Sequence, residues 1–178
     1  MRPITCLVMI AIAVPVGLVS VAHAADPAAM INKVSGEGVG EAIGTVVVSM
    51  TPAGAVFNLD VKGLAPGAHG MHVHENGACG PGVVNGNPVA AGAAGGHWDS
   101  GHTGKHEGPM GQGHSGDLPV LDVAADGSAK TSVTAPRIKD LEAVRGRALV
   151  IHAGGDNFSD EPAPLGGGGA RIACGVLK

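Results

Sequence analysis

The sequence predicts an all-β domain, an eight-stranded Greek-key β-barrel or sandwich with two long functional loops, and three observations carry that prediction. The 178-residue chain holds 31 Gly and 12 Pro beside a Val-rich apolar set, which favours short strands and turns over long helices. Apolar and polar residues alternate over short stretches, as half-buried strands require. These stretches recur at hairpin spacing and are interrupted by two Gly-rich segments without periodicity. A hydrophobic content of 44% is enough to build a core, and Gly follows no three-residue period, so disorder and collagen are both disfavoured.

Residues 1–24 read as a secretory signal peptide. Arg2 supplies a thin positive region, an apolar run extends from about Cys6 to Val19, and Ala22-His23-Ala24 is a small-x-small cleavage site. Pro15 and the modest length count against a retained membrane anchor. Residues 25–178 then form one domain, which predicts an exported protein with no membrane segment after cleavage.

Within that domain residues 25–30 read as a frayed terminus. Ile43–Val48 is β-branched and predicts a strand, Thr51-Pro52-Ala53-Gly54 turns the chain, and Val56–Val61 alternates as the return strand. After the Gly63–Gly67 turn, His69–Glu75 is the third strand. From Asn76 to about Leu118 the chain is a loop of some forty residues, longer than a compact domain tolerates unless something such as a metal ion and a disulfide orders it. Leu118–Val123, an Asp126-Gly127 turn and Ser128–Thr134 form a hairpin. Ala135-Pro136-Arg137 breaks the chain, residues 138–146 hold one short helical turn, and Arg147–His152 is the next strand. A second irregular loop, Ala153–Gly169, precedes the last strand, Arg171–Leu177.

The net charge of −4 and the absence of any Lys/Arg run argue against a nucleic-acid partner. Cleavage after Ala24 leaves Cys79 and Cys174. Two cysteines in an exported chain suggest one disulfide, with two free thiols as the alternative.

The histidines are the chemical signal. On a strand, the period of two puts His72 and His74 on one face, about 7 Å apart, where two imidazoles can grip one metal ion. His152 ends another strand. His97, His106, His114 and Asp117 lie in the long loop with the spacing H-x8-H-x7-H-x2-D. Strand ligands are rigid and loop ligands need an ion to order them, which suggests two sites. Three imidazoles and a carboxylate suit tetrahedral Zn²⁺, while a more planar set of imidazoles suits Cu²⁺.

The segments HGMHVHENGAC (69–79), GGHWD (95–99), TGKHEGPMGQGHSGDLPV (103–120), APRIKDL (135–141), GRALVIHAGGDN (146–157) and PLGGGGARIACGV (164–176) appear in order across the mature chain. In them the sequence resembles the exported bacterial copper,zinc superoxide dismutases. The resemblance implies that His72, His74 and His152 bind copper, with His97 as a bridging imidazolate, and that His97, His106, His114 and Asp117 hold zinc. It implies a Cys79–Cys174 disulfide, a supporting carboxylate at Asp156 that links a copper-side and a zinc-side imidazole, and a structural role for His69. Superoxide would be the substrate and Arg171 the residue that guides it, in a monomer or homodimer in the periplasm, with a secreted or cell-surface location as the alternative. An exported copper/zinc storage protein without turnover would use the same ligands, but it predicts a missing copper ligand or guiding arginine, and neither is missing. An Ig-like adhesion module would not need seven ordered ligand residues.

Several features depart from the family pattern. Met71 stands where an aromatic is common and is expected to fill the same core gap. Trp98 and Ser100 alter a stretch often written HYDP or HLDP, and the absence of Tyr puts an aromatic dimer contact in doubt. His102 is extra and reads as a solvated spare. Residues 75–104 and 153–170 contain no Lys or Arg, so electrostatic steering of superoxide is expected to be weak.

Overall fold

A computed structural model describes residues 25–84 and 86–178. The signal-peptide assignment lies outside the described residues. Eleven strands are present among them: β1 Ala28–Ser35, β2 Gly38–Thr51, β3 Gly54–Lys62, β4 Gly67–His69, β5 Met71–His74, β6 Gly82–Val84, β7 Asn87–Val89, β8 Leu121–Val123, β9 Ser128–Ala135, β10 Ala148–His152 and β11 Arg171–Val176. Helix is confined to three short 3₁₀ turns, one of them, Leu141–Ala143, inside the predicted helical segment. None of these is long and apolar enough to cross a membrane.

The all-β expectation is met by one seven-stranded antiparallel sheet in the order β5-β10-β11-β1-β2-β3-β9, with β4-β8 and β6-β7 as two-stranded companions. The seven strands placed by range in the sequence become eleven because the His69–Glu75 strand is divided at Gly70 into β4 and β5, the long loop contains the β6-β7 hairpin, and the N-terminus is itself a strand. Residues 28–30 are therefore not frayed. β1 lies between β2 and β11, and Ala28 N–H donates to the Lys178 carbonyl at 3.1 Å. Only Ala29 and Ile31 of β1 turn fully inward, so the strand owes its existence to partners on both sides.

The core is built from the inward faces, with Ile31, Phe57, Met71, Leu121, Leu149 and Ile151 among the fully buried side chains. Met71 does occupy core space, completely buried. Burying such a side chain contributes roughly 1.5–3 kcal/mol. That core fixes β5 and β10 side by side, with Val150 opposite His72 and Ala148 opposite His74.

Candidate metal centre

Two adjacent strands and two loops converge on one buried cluster of imidazoles. His72 and His74 come from β5. His152 ends β10 at a register shift against β11, where it pairs with Arg171.

Part of the long loop is also held by backbone hydrogen bonds. It zips onto the free edge of β5: Val73 N–H donates to Gly116 O, Trp98 N–H to Val73 O, and Glu75 N–H to Gly96 O, at 2.9–3.0 Å. These bonds set His97 opposite His74 and Asp117 opposite His72. Gly116 is required there, because an added Cβ would run into the Val73 carbonyl. His114 N–H donates to Lys105 O, and the Arg137 guanidinium donates to the carbonyls of Gly113 and His114 at 2.7 and 2.9 Å.

The ring nitrogens divide their work. His72 Nε2 donates to Asp156 Oδ2 at 2.8 Å, His74 Nδ1 to Gly95 O at 3.1 Å, and His152 Nδ1 to Gly169 O at 3.2 Å. The opposite atoms, His72 Nδ1, His74 Nε2 and His152 Nε2, are buried with no hydrogen-bond partner. Each ring thus carries its proton on the outer nitrogen and presents a lone pair inward, the tautomer that a metal ion requires. Ligand atoms of His72, His74, His97 and His152 lie within 4.8 Å of one another.

A second set, His72, His97, His106 and Asp117, meets the same distance limit. Chemistry favours His114 over His72 as its fourth member. His72 has only Nδ1 free and faces the first set with it, whereas His114 Nδ1 is unsatisfied and 3.5 Å from Asp117 Oδ1. His106 Nδ1 is 3.0 Å from Asp117 Oδ2, yet their geometry forms no hydrogen bond and both atoms remain unsatisfied. They point to a shared third partner. His97 stands between the sets, its ring centroid 5.1 Å from His74 and 5.3 Å from His114, with Nδ1 3.1 Å from Asp117 Oδ1.

Electrostatics agree with this division. Burial pushes the His74 ring well below its ordinary range, His97 to about 4 and His152 to about 3, so these rings are neutral donors. For His106 burial works the same way, but the adjoining carboxylates of Asp117 and Asp156 prevail and raise it to about 9. Asp117 is held below the ordinary carboxylate range by His106, His114 and His97 against the opposing effect of burial, and Asp156 by His106 and His72. A dry pocket with carboxylates on the His106 side and neutral imidazoles on the other fits two cations of different ligand preference.

One cleft of about 290 Å³ opens onto this cluster, with His97, His152 and Arg171 at its floor and Val89, Pro164 and Leu165 in its walls. Arg171 is fixed by hydrogen bonds to Ala91 O and Gly95 O, both 2.7 Å. Cys79 and Cys174 are joined, with Cα atoms 5.7 Å apart. His69 stands outside the cluster, its ring nitrogens 2.7 and 2.8 Å from His152 O and Ala65 O. His102 is exposed in a turn and joins neither set. Sequence reasoning missed the carbonyls of Gly95 and Gly169, which leave no side-chain signature. It also missed Asp160, whose signal is an acidic residue four beyond Asp156 in a loop without Lys or Arg.

The profile of the family described as copper/zinc superoxide dismutase (SODC) matches residues 42–177. The chain is 57% identical over 157 residues to "Superoxide dismutase [Cu-Zn] 2" of Salmonella typhimurium, covering 88% of this chain and 91% of that protein. The Cu/Zn superoxide dismutase of Brucella abortus superposes with a TM-score of 0.83 at 50% identity, over 85% of this chain and 98% of that one. The solution structure of the monomeric copper, zinc superoxide dismutase from Salmonella enterica gives a TM-score of 0.77 at 57% identity, over 86% and 100%. On this fold, this ligand geometry and these likenesses, the chain belongs to the copper/zinc superoxide dismutase family.

Proposed function

We propose that the chain is a superoxide dismutase whose copper is held by His72, His74, His97 and His152 and whose zinc is held by His97, His106, His114 and Asp117. When bound, copper supplies a one-electron Cu(II)/Cu(I) couple that oxidises one superoxide to O₂ and reduces a second, with two protons, to hydrogen peroxide, while zinc supplies a fixed positive charge beside it. The observation that carries the assignment is the set of buried, unpartnered ligand atoms, with the rings of His72, His74, His106 and His152 each anchored from the far side.

The residues divide the remaining work. Asp156 and the carbonyls of Gly95 and Gly169 fix the tautomers of His72, His74 and His152. His97 turns Nδ1 to Asp117, and its Nε2, when not engaged with copper, would take up a proton and give it to the second superoxide. Arg171, clamped by two carbonyls, presents a positive charge to the incoming anion at the floor of the cleft. The structure around the ligands keeps the site dry apart from that opening.

Superoxide is the substrate, and the chain acts as a monomer, the state named for the Salmonella enterica relative. The signal segment, the disulfide and the bacterial relatives support export to the periplasm. The test is metal content by mass spectrometry with dismutation activity after copper and zinc loading, beside His152→Ala. One copper and one zinc per chain, with activity lost in the variant, is the expected result. Two tightly bound metals with no turnover would identify a carrier instead.

A further inference from the structure

Arg147 stands immediately before β10, and its guanidinium reaches three segments at once. Nε donates to the Ala143 carbonyl and one terminal nitrogen donates to the Glu75 carbonyl, both at 2.8 Å. The guanidinium carbon also lies over the indole of Trp98, 4.7 Å from the ring centroid, within the distance at which an aromatic face attracts a cation. Trp98, the chain's one tryptophan, is half-buried against the main core. Dismutation gives neither residue a task.

Trp98 follows His97, the residue common to the two proposed ligand sets. On the other side of His97, Gly96 is held by Glu75, whose N–H donates to Gly96 O at 3.0 Å and whose Oε2 accepts from Gly96 N–H at 3.1 Å. Trp98 N–H donates to Val73 O at 2.9 Å, and Trp98 O accepts from Gly116 N–H at 2.8 Å. Arg147 thus ties β10, which carries His152, to the end of β5 beyond His74 and to the segment carrying His97.

His97 needs such support more than the other rings do. His72, His74 and His152 are each anchored by an outer nitrogen that donates to an oxygen outside the ligand sets. His97 has no nitrogen to spare: Nδ1 is 3.1 Å from Asp117 Oδ1, itself a proposed zinc ligand, and Nε2 belongs to the copper set. Its position therefore has to be set through its neighbours in the chain. We propose that Arg147 is a positioning residue for His97, acting through the face of Trp98 to hold the Gly96–Trp98 segment where one ring can serve both metals. This rests on the copper and zinc assignments above. Arginine suits the role, since a planar guanidinium can donate to two carbonyls and still stack on a ring.

The test reads copper and zinc affinity separately by chelator competition, each with the other metal bound. The proteins are wild type, Arg147→Gln, Trp98→Leu, Trp98→Phe and the Arg147→Gln/Trp98→Leu double variant, with folding checked by circular dichroism. Gln keeps a donor for the Glu75 carbonyl without the charge, Leu keeps apolar bulk without the face, and Phe keeps a face. Arg147→Gln and Trp98→Leu each lower both affinities about 3- to 30-fold, the range that one such contact supports. The double variant loses little more than either single, because both remove the same contact, and Trp98→Phe stays within about 2-fold of wild type. Loss of copper alone would place the effect at His74 through Glu75, and loss of zinc alone at Asp117 through Gly116. Either result overturns the proposal, as do additive losses, unchanged affinities, or a Trp98→Phe as weak as Trp98→Leu. If Arg147→Gln does not fold, Trp98→Leu against Trp98→Phe decides on the same criteria. A wild type that fails to hold one copper and one zinc overturns the parent assignment as well, and metal counts by mass spectrometry distinguish the two failures.

Discussion

Asp156 joins His72 and His106 through one carboxylate, with Oδ2 2.8 Å from His72 Nε2 and Oδ1 2.8 Å from His106 Nε2. Both rings must donate to it, so both turn their Nδ1 lone pairs inward. Asparagine can accept from only one of them and would direct its NH₂ at the other. Asp156→Asn is expected to weaken metal affinity by about 10- to 100-fold. Chelator competition, read separately for copper and zinc, checks this. An unchanged affinity for both would mean that packing alone orients the rings.

Gly166 makes the same point through space instead of charge. It has a left-handed φ of 71°, and a Cβ there would collide with the Asp156 carboxylate and crowd His106 Nε2. Gly166→Ala is expected to displace Asp156 and reproduce the metal loss of Asp156→Asn, while changing none of the groups that could bind metal. The double variant should lose little more than either single, since residues acting on one contact are not additive. Zinc and copper stoichiometry in the three variants is the measurement.

How much of this was legible beforehand follows from what each feature writes into side chains. The alternation of Met71-His72-Val73-His74 states the strand, and H-x8-H-x7-H-x2-D states the loop ligands. The N-terminal strand was missed because Ala28–Ser35 has few β-branched residues, and its pairing with β2 and β11 is a tertiary effect. The loop's attachment to β5 was missed for a different reason. It runs through backbone groups of Gly96, Trp98 and Gly116, and glycines announce a close approach without saying to what. Arg171 was legible by resemblance, but its clamp by Ala91 O and Gly95 O was not.

That clamp makes Arg171 a fixed charge in a region that otherwise lacks cations. Arg171→Ala is expected to lower kcat/KM by about 10-fold or more with both metals retained. Under the proposed function steering rests on this one group at short range, so kcat/KM should fall by less than about 3-fold between low and physiological ionic strength. Pulse radiolysis at several salt concentrations reads both. A steep salt dependence would show that more distant charges, such as Lys105, do the steering.

The disulfide connects stability to the same clamp. Cys79 and Cys174 are 95 residues apart, and closing a loop of that length restricts the unfolded chain enough to stabilise the fold by roughly 4–5 kcal/mol in the chain-entropy model. The bonded pair also packs in a small cluster with Ala91, Ala94 and Val150, and Ala93 N–H donates to Gly80 O beside Cys79. Ala91 supplies one of the carbonyls that hold Arg171, and Arg171 lies three residues before Cys174 on β11. Replacing both cysteines by serine is therefore expected to do two things. Urea unfolding of the metal-free protein, where bound ions do not add their own stabilisation, should show a loss of about 4 kcal/mol. The metal-loaded variant should keep its copper and zinc but lose part of its kcat/KM, because the segment carrying the Ala91 carbonyl is no longer tied to the strand carrying Arg171. A stability loss with undiminished kcat/KM would confine the disulfide to the unfolded chain and leave the clamp to the hydrogen bonds alone.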